Sequence, residues 1–536
     1  MLQLNKRCLE NPGEWTKKNI AMPAFDYDAM VRHTEENPEW VHFGAGNIFR
    51  GFMAVCHQQL LEQGLARTGI VAVETFDREV IDRIYRPHDN LALFVAVEPD
   101  GRQDMRVVAS IAQGLNVLES EDWEKLGRIF SHPSLKMASF TVTEKGYYLG
   151  DSAGGFIEIV KKDIESGLEA PAHLVSKLVA LMYRRYRAGR YPIALVSMDN
   201  CSHNGEILRN AVLTLAKAFY ARGNVDAGFM DYLSDEKTVA FPWTMIDKII
   251  PRPSNTVKAR LDALDIKDMD VVITAKSTFI APFVNAESTQ YLFMEDNFPN
   301  GRLPLDRTKG IWYADRDTVN KVETMKVTTC LNPLHTAISI FGCLLNVALV
   351  VDAMKDEDIR ALAHKIGYDE GLPVVVDPKI INPRQFLDEV VNERFVNPFV
   401  PDTTKRIATD TSMKVGIRYG ETIKSYLKSD RLSVDNLWGI PLAIAAWCRY
   451  LLAVDDEGNA MELSPDPRLG DLQKILASIK LGDSGVGLTE ILSNKSIFGS
   501  DLYQSGLGKK IERMFNEMIA GKGAVRKTLK KYLEMK

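Results

Sequence analysis

The clearest pattern of apolar and polar positions lies where a short apolar run, Trp40–Phe43, leads into a turn that contains Gly44 and Gly46. After the turn, apolar side chains recur at the spacing of one helical face, at Phe49, Phe52, Cys56 and Leu60. Gly64 ends this periodicity. The pattern predicts a strand, a tight turn and an amphipathic helix in immediate succession.

The same alternation continues through the N-terminal part of the chain. Apolar runs typical of strands lie at Met137–Thr143, Ile193–Met198 and Val271–Thr274, and His173–Tyr186 has the periodicity of a crossover helix. Strands that alternate with helices predict an α/β domain. We expect this domain to cover residues 1–321, with insertions.

From about Val322 onward the pattern changes, because helical periodicity persists while strand signals become few. The segments with this periodicity are Leu334–Met354, Ile359–Ile366, Pro383–Glu393, Asp435–Val454, Leu469–Leu481 and Lys509–Ile519. We therefore predict a second, mainly α-helical domain over residues 322–536.

The turn at Gly44 and Gly46 has the shape of a dinucleotide-binding unit. Glycines let the backbone approach a pyrophosphate, and the helix N-terminus offers N–H donors and positive charge. Phe49 stands where the usual fingerprint has a third glycine. A tight turn in some other α/β protein is therefore an equal alternative on this motif alone.

An acidic residue ends the next predicted strand, Gly69–Glu74. A carboxylate there could accept hydrogen bonds from the adenosine ribose, which favours NAD over NADP. Glu74 lies 30 residues after Gly44, whereas about 20 is usual, and the long intervening helix accounts for the difference. A solvated acid at a strand end is the alternative, and Asp77 is a second candidate for the ribose contact.

Composition excludes several classes of protein. The 536 residues are 46% hydrophobic and 26% charged, as in soluble globular proteins, and the length indicates more than one domain. A net charge of −5 gives nucleic-acid binding no electrostatic support. The six cysteines are scattered without a Cys-x-x-Cys pair, which favours a reducing cytoplasm over disulfides or structural zinc.

We expect neither a signal peptide nor a membrane span. Residues 1–18 are mixed and charged, without the apolar core of a secretory leader. The most apolar stretch, Ala337–Val351, is too short to cross a bilayer and predicts a buried helix.

Compact polar segments follow predicted strands or precede predicted helices, at Thr141–Tyr147, Ser197–Cys201, Phe241–Ile249 and Lys326–His335. Ligands of open α/β sheets bind beyond the carboxyl ends of the strands. Each segment alone also has an ordinary interpretation. Asn332 could be a plain N-cap with Pro333 at the first helical position, Lys326 a solvated lysine, and His335 a core histidine.

Taken together, the segments resemble the polyol-specific long-chain dehydrogenases, the family that includes mannitol 2-dehydrogenase, fructuronate reductase and tagaturonate reductase. The resemblance runs from about Trp40 to about Arg418, with a weaker match in the C-terminal helices. The matching motifs are Gly44-x-Gly46-x-x-x-Arg50, Thr141–Tyr147, Asp199-Asn200, Met245–Ile249, Glu295–Arg302, Arg394-Phe395-x-Asn397-Pro398 and Asp410-x-Ser412-x-Lys414-x-x-x-Arg418. So many ordered matches are far more specific than the glycine turn alone.

One motif departs from the family pattern, in which an Asn and a His follow a lysine by five and eight residues. Here Asn332 and His335 follow Lys326 by six and nine residues, and Pro333-Leu334 replaces a small Gly-Ser pair. The extra residue predicts a bulge at the helix start or a reshaped pocket, which affects the substrate more than the reaction.

The resemblance implies a role for each matching residue. Lys326 is implied to be the general base, and Asn200 and Asn332 the amides that hydrogen-bond the reacting oxygen. A lysine base must be desolvated or lie near positive charge to act. The implied substrate-binding residues are His335, Arg394 and Lys414. The predicted cofactor contacts are Gly44, Gly46, Asn47, Phe49, Arg50, Glu74, Glu144, Lys145 and Asp247.

The resemblance implies an NAD-dependent oxidoreductase with its active site between its two domains. The cysteine pattern adds a cytoplasmic location, and the lack of a plausible ligand set, with a lysine as the base, predicts that no metal is needed. D-Mannonate and D-fructuronate are the first substrate pair. D-Altronate with D-tagaturonate, or a plain hexitol, is the runner-up. A non-redox, nucleotide-binding sugar epimerase or sensor is the alternative of a different class. We expect a monomer or small homo-oligomer without nucleic-acid or membrane partners.

Overall fold

The computed structural model describes residues 2–98, 100–150, 154–399 and 402–534. The contacts divide the chain into two compact units, Met1–Asn320 and Lys321–Lys536. The first unit is α/β, and the regular secondary structure of the second is helical.

In the described part of the first unit, six strands form one parallel sheet. They are β1 (Trp40–Phe43), β2 (Ile70–Glu74), β3 (Ile111–Asn116), β4 (Met137–Phe140), β5 (Ile193–Ser197) and β6 (Val239–Ala240). Their order across the sheet is β3-β2-β1-β4-β5-β6. This is the Rossmann order, in which the chain direction across the sheet reverses between β1 and β4, and ligands bind beyond that point.

Helices cover both faces of this sheet because alternate side chains of each strand point to opposite faces. Val41 and Phe43 of β1 belong to one buried core, and Trp40 belongs to the other. The helices that begin in this unit are Arg7–Glu10, Pro12–Thr16, Tyr27–Glu36, Ala54–Glu62, Arg78–Val80, Ser120–Phe130, Glu158–Ser166, Leu174–Gly189, Asn204–Ala221, Ala227–Ser234, Asn255–Ala263 and Arg316–Met325. The predicted crossover helix is confirmed, with His173 as its N-cap.

The insertions form smaller sheets. One contains Phe283–Ala286, Ala92–Val97, Gln103–Val108 and Ile20–Ala21, and another contains Thr244–Asp247, Tyr291–Glu295 and Ile311–Ala314. Leu2–Gln3 pairs with Ile266–Lys267, and Val272–Ile273 pairs with Phe279–Ile280. The run predicted as a strand at Val271–Thr274 therefore forms a hairpin outside the main sheet. We call Val272–Ala281 the hairpin segment.

The second unit contains helices joined by short π-helical and 3₁₀ turns, and its described residues contain isolated β-bridges but no strand. Its helices are Asn332–Leu344, Val350–Ala353, Glu357–His364, Pro383–Glu389, Thr404–Ile407, Glu421–Leu427, Gly439–Tyr450, Leu469–Leu476, Thr489–Leu492, Lys495–Phe498, Gly508–Met518 and Ala524–Glu534. The predicted fold class, a Rossmann-type α/β domain followed by a mainly helical one, is confirmed.

Four predicted helices are shorter than expected, and two of these, those predicted at Pro383–Glu393 and Leu469–Leu481, are α-helical only as far as Glu389 and Leu476. The other two end or begin early for identifiable reasons. The helix predicted from Leu334 to Met354 ends at Leu344, and Asn346 then takes a left-handed backbone conformation with φ of 58°. The helix predicted from Asp435 begins at Gly439, because the Glu370 carboxylate accepts the backbone N–H groups of residues 438–440 at 2.7–2.8 Å.

The helical run Arg316–Leu344 is long and apolar enough to cross a membrane by length and composition, but 83% of its most apolar window is buried inside the fold. Within it, Ala337–Leu344 is part of a core helix, as predicted for the first half of Ala337–Val351.

Candidate active site

The two glycines of the turn after β1 differ in whether the fold leaves space for a side chain at their positions. Gly44 has φ of 99°, and a Cβ there would lie 2.3 Å from the carbonyl oxygen of Thr141. A Cβ on Gly46 would meet no atom of the described chain within 4 Å. Gly44 is therefore required by the fold, whereas Gly46 keeps the space at the helix start open. This arrangement fits a pyrophosphate at the N-terminus of the helix.

A buried histidine of β1 packs against the first residues of the helix that follows the glycine turn. The ring of His42 stacks on Phe49 with centroids 4.2 Å apart, and its nitrogens lie 2.6 Å from Ser139 Oγ and 2.8 Å from Thr141 Oγ1. Burial lowers the pKa of His42 to about 3, so the ring is neutral. Phe49 is fully buried, and its ring stabilises the turn.

Asn47 and Arg50 connect the turn to the hairpin segment. Asn47 Nδ2 donates to the carbonyl of Phe279 at 3.0 Å, and Asn47 Oδ1 accepts from Arg50 at 2.8 Å. Arg50 also donates to the carbonyl of Ala281 at 2.7 Å and is almost wholly buried. These bonds explain both residues structurally, and their contact with a cofactor stays a prediction.

Glu74 lies beside the glycine turn and is buried, so its interpretation as a solvated acid is wrong. Its Oε1 accepts the backbone N–H groups of Thr75 and Phe76 at 2.9 Å and of Asp77 at 3.2 Å, and the backbone N–H of Ala45 in the glycine turn also acts to lower the pKa of the carboxylate. Burial raises the pKa of Glu74, and these donors oppose the rise. The end of β2 is thereby held against the turn, as a ribose contact requires.

Asp77, the second candidate for that contact, holds the hairpin segment. Its Oδ2 accepts from the hydroxyl of Thr274 at 2.5 Å. The backbone N–H of Ala275 donates to Glu79 at 2.7 Å. Of the two acids, Glu74 therefore has the more direct contact with the glycine turn.

Asp199 organises the loop after β4. Its carboxylate accepts the N–H of Thr143 at 2.8 Å, the N–H of Val142 at 3.2 Å and the phenol of Tyr147 at 2.6 Å. Because these N–H groups bond Asp199 instead of a neighbouring strand, β4 ends at Phe140 rather than at the predicted Thr143. Thr143 has φ of 66°, a conformation rare for a residue with a side chain. The motif Asp199-Asn200 had implied a role for Asn200 alone.

Three of the predicted residues lie after neighbouring strands, two of them in the loop after β4 and one after β5. Glu144 and Lys145 lie in the 3₁₀ turn Glu144–Tyr147, and Asn200 follows Asp199; all three are exposed. Asp247 ends the strand Thr244–Asp247 in the three-stranded sheet and is 9% exposed. Their contacts with cofactor or substrate stay predictions.

Lys326 is buried, with 3% of its surface exposed, so its interpretation as a solvated lysine is wrong. It begins the π-helical turn Lys326–Cys330, which is closed by a 3.1 Å bond from the N–H of Leu331 to the carbonyl of Lys326. A π turn contains one more residue than an α turn. This extra residue accounts for the shifted spacing between Lys326 and Asn332, and the predicted bulge is confirmed.

Asn332 is the first residue of the next helix and is half-buried. The N-cap position belongs to Leu331, whose side chain makes no capping bond. The interpretation of Asn332 as a plain N-cap is therefore wrong. Its carbonyl accepts the hydroxyl of Thr336 at 3.0 Å.

His335, one turn further on, lies among charged side chains. Its Nε2 is 3.7 Å from Asp402 Oδ2, and its ring stacks on Phe395 with centroids 4.9 Å apart. Asp402 forms a two-bond ion pair with Arg406. Burial lowers the pKa of His335 to about 3, while Asp402 opposes and nearby arginines reinforce the shift. His335 is therefore neutral and can donate or accept one hydrogen bond.

The charges around His335 are mainly positive. Arg418, Arg406 and Arg394 all act on its pKa. Arg394 ends the π turn Val390–Arg394 and is 6% exposed. Lys414 Nζ donates to the carbonyl of Thr409 at 2.5 Å, and burial lowers its pKa. We call these side chains, with Asp402, the His335 cluster. The sequence motifs predicted no site role for Asp402 or Arg406, and Arg418 was known only as the last residue of a motif.

Neither metal ligation nor disulfide bonding is evident in the parts of the chain that are described. No group of three or more His, Cys, Asp or Glu side chains there could hold a metal ion. The six cysteines are free, and all except Cys201 are buried. Catalysis without metal stays a prediction.

The strand order, the glycine turn and Glu74 define a dinucleotide-binding α/β domain, and a helical unit with a buried lysine follows it. Two family models match these parts: the mannitol dehydrogenase Rossmann domain over residues 38–306 and the mannitol dehydrogenase C-terminal domain over residues 318–519. The chain therefore belongs to the mannitol dehydrogenase family.

Three curated relatives align with most of the chain. The D-mannonate oxidoreductase of Thermotoga maritima is 50% identical and covers 98% of both chains. The polyol:NADP oxidoreductase of Gluconobacter oxydans and the D-mannonate oxidoreductase of Escherichia coli are each 28% identical, over 91% of this chain and 93% of theirs.

Two solved structures share the fold. The substrate-free D-sorbitol dehydrogenase is 26% identical, covers 98% of this chain and 99% of its own, and has a TM-score of 0.81. The mannitol 2-dehydrogenase of Pseudomonas fluorescens is 24% identical, with full coverage of both chains and a TM-score of 0.74.

Proposed function

We propose that this chain is an NAD-dependent oxidoreductase that interconverts D-mannonate and D-fructuronate. The substrate pair is supported by the Thermotoga maritima relative, which is similar along nearly the whole of both chains. The observation that carries the reaction type is the burial of Lys326 in a π turn that is separated by Leu331 alone from the helix beginning at Asn332. A cytoplasmic location is supported by the free cysteines.

The first unit fits a dinucleotide. Gly44, Gly46 and the helix start would hold the pyrophosphate, and Glu74 would hold the ribose. The bonds from the backbone N–H groups of residues 75–77 all go to Oε1 of Glu74. A ribose hydroxyl would therefore donate to Oε2. NAD held there would supply the hydride acceptor for oxidation of the carbinol carbon, and its reduced form the hydride donor for the reverse reaction.

The second unit supplies proton transfer and substrate contacts. Neutral Lys326 would take the hydroxyl proton during oxidation and return it during reduction. The amide N–H groups of Asn332, with those of Asn200, would donate to the reacting oxygen, and such neutral donors stabilise a developing oxyanion. Neutral His335 would bond a substrate hydroxyl, and the positive His335 cluster suits a sugar acid.

The test is an absorbance assay at the NADH band with D-mannonate, D-altronate and D-mannitol, each with NAD and with NADP. We expect the highest kcat/KM for D-mannonate with NAD, unchanged by a strong chelator. The NADP arm is included because one relative is a polyol:NADP oxidoreductase. Highest activity on D-altronate or D-mannitol would assign the runner-up reactions. Nucleotide binding without any redox turnover would indicate the epimerase or sensor class.

A further inference from the structure

Arg418 is a half-buried arginine without an acidic partner in the described parts of the chain. One guanidinium nitrogen donates to the hydroxyl of Thr336 at 2.6 Å, and this is the one hydrogen bond of the Arg418 side chain among the described residues. Burial lowers the pKa of Arg418 to about 10, so the group remains a cation at neutral pH. A desolvated cation is unfavourable without a counter-charge. The remaining N–H groups can still bond an anion.

The position of Arg418 relative to Lys326 is fixed by a row of hydrogen bonds. Thr422 donates to the carbonyl of Thr328 at 3.2 Å, Tyr419 donates to the carbonyl of Pro333 at 3.0 Å, and Arg418 bonds Thr336. The segment 418–422 therefore runs alongside the chain from the π turn of Lys326 to the first turn of the next helix.

Close backbone packing holds this segment from its other side. A Cβ on Gly416 would lie 2.5 Å from the carbonyl oxygen of Ile497, and one on Gly420 would lie 2.2 Å from that of Phe498. The π turn Gly416–Gly420 thus has little freedom to move, and Arg418 is presented from a rigid support.

The other cations of the His335 cluster are more fully engaged. Arg406 is bound to Asp402 through two hydrogen bonds, and the Lys414 ammonium bonds the carbonyl of Thr409. Arg394 has an interaction partner of its own and is more deeply buried than Arg418. Arg418 is therefore the cation of the cluster with planar N–H groups still to be satisfied, and such a group matches the two oxygens of a carboxylate.

We propose that Arg418 binds the carboxylate of the sugar acid, with Thr336 as its positioning residue, and thereby makes the enzyme select a hexonate over a hexitol. The inference rests on the proposed function. In D-mannonate the carboxylate lies at the end of the carbon chain away from the reacting carbon. Arg418 therefore acts on substrate binding and not on proton transfer.

The test compares Arg418→Gln with Arg468→Gln. Arg468 also bonds one hydroxyl, that of Ser496, at 2.6 Å, and it lies outside the cluster. For Arg418→Gln we expect kcat/KM on D-mannonate to fall about 10- to 150-fold, mostly through KM, as for loss of a hydrogen bond to a charged group. Activity on D-mannitol should change far less. Arg468→Gln should behave as wild type.

Two further variants separate binding from folding. Arg418→Lys keeps the positive charge but lacks the planar guanidinium, so its kcat/KM on D-mannonate should lie between those of the wild type and Arg418→Gln. Thr336→Val removes the hydroxyl that positions Arg418, and it should lower the preference for D-mannonate over D-mannitol by less than Arg418→Gln does. An unchanged KM for D-mannonate in Arg418→Gln, or an equal loss on D-mannitol, would overturn the proposal. Absence of activity in the wild type would instead refute the proposed function.

Discussion

Asp199 accepts a hydrogen bond of 2.6 Å from the phenol of Tyr147, and the same carboxylate also receives the N–H of Thr143 at 2.8 Å. Burial raises the pKa of Asp199, and these donors oppose the rise. One side chain at the end of β5 thus sets the conformation of the loop after β4.

Asp199→Asn should release this loop, because an amide places N–H donors opposite the donors it must bond. We expect a loss of about 1–3 kcal/mol in the free energy of unfolding and a larger dissociation constant for NADH. Ser197→Ala is the control, since it removes the 3.0 Å bond from Tyr147 to Ser197 and the long 3.4 Å bond from the N–H of Asp199 but keeps the Asp199 carboxylate and its bonds to the loop. Equal NADH affinity in Asp199→Asn and wild type would show that the loop does not serve the cofactor.

Glu74→Ser tests cofactor selectivity. Glu74 is buried next to the glycine turn, where a carboxylate repels a 2′-phosphate. We expect the wild type to prefer NADH over NADPH in kcat/KM, and the variant to lose most of that preference. Asp77→Asn, which alters the bond to Thr274, is the matched comparison. A wild type that prefers NADPH would refute the assignment, and a preference lost only in Asp77→Asn would transfer the role to Asp77.

Lys326→Ala should lower kcat by roughly 10²- to 10⁴-fold, as for removal of a general base, while NADH still binds. Since only the neutral amine accepts a proton, the wild-type oxidation rate should rise with pH, and the variant should lose that rise. Small amines added to the variant should restore part of the rate. Lys177→Met is the control, because Lys177 is also buried but bonds the carbonyls of Pro171 and Ala172. Near-normal turnover by Lys326→Ala would defeat the mechanism.

Asn332→Ala separates a catalytic amide from a helix cap. A cap loss costs about 1 kcal/mol of stability, but the cap position here belongs to Leu331. We therefore expect kcat to fall with little change in the thermal midpoint, and Asn200→Ala to behave likewise. A destabilised variant with normal kcat would remove Asn332 from the site.

His335 should make stability depend on pH. Its folded pKa of about 3 is below the ordinary value of 6.5, so the unfolded chain binds more protons between these two values. Its contribution is therefore fully present above pH 6.5 and is lost as pH falls toward 3. The loss is at most about 1.4 kcal/mol per pH unit. Denaturant unfolding of His335→Asn at pH 7 and pH 5 should show a smaller difference than the wild type, and an equal difference would contradict this prediction.

The local elements were predictable where periodicity and chemistry agree. The strand, glycine turn and helix from Trp40 to Gly64 depend on residues adjacent in sequence, and the structure contains them. The run Val271–Thr274 was placed correctly as extended chain, but its partner, Phe279–Ile280, lies outside the main sheet. Pairing depends on tertiary contacts that apolar alternation does not specify.

The site was predictable in part. The resemblance selected Lys326 and His335, and the spacing indicated an irregular helix start. Arg418 was not selected, because its lack of an acidic partner emerges only when it is packed beside Thr336. The role of Asp199 was missed for a similar reason, since its donors lie more than fifty residues earlier, in the loop after β4.

The hairpin segment has a consequence for the order in which the protein becomes competent. Asn47 and Arg50 bond carbonyls 232 and 231 residues later, and Asp77 bonds a hydroxyl 197 residues later. All six strands of the main sheet are synthesised before residue 272. A nascent chain of that length contains every strand of the main sheet but lacks these partners, so the bonds that tie the glycine turn and Asp77 to the hairpin segment form only after that segment has emerged from the ribosome.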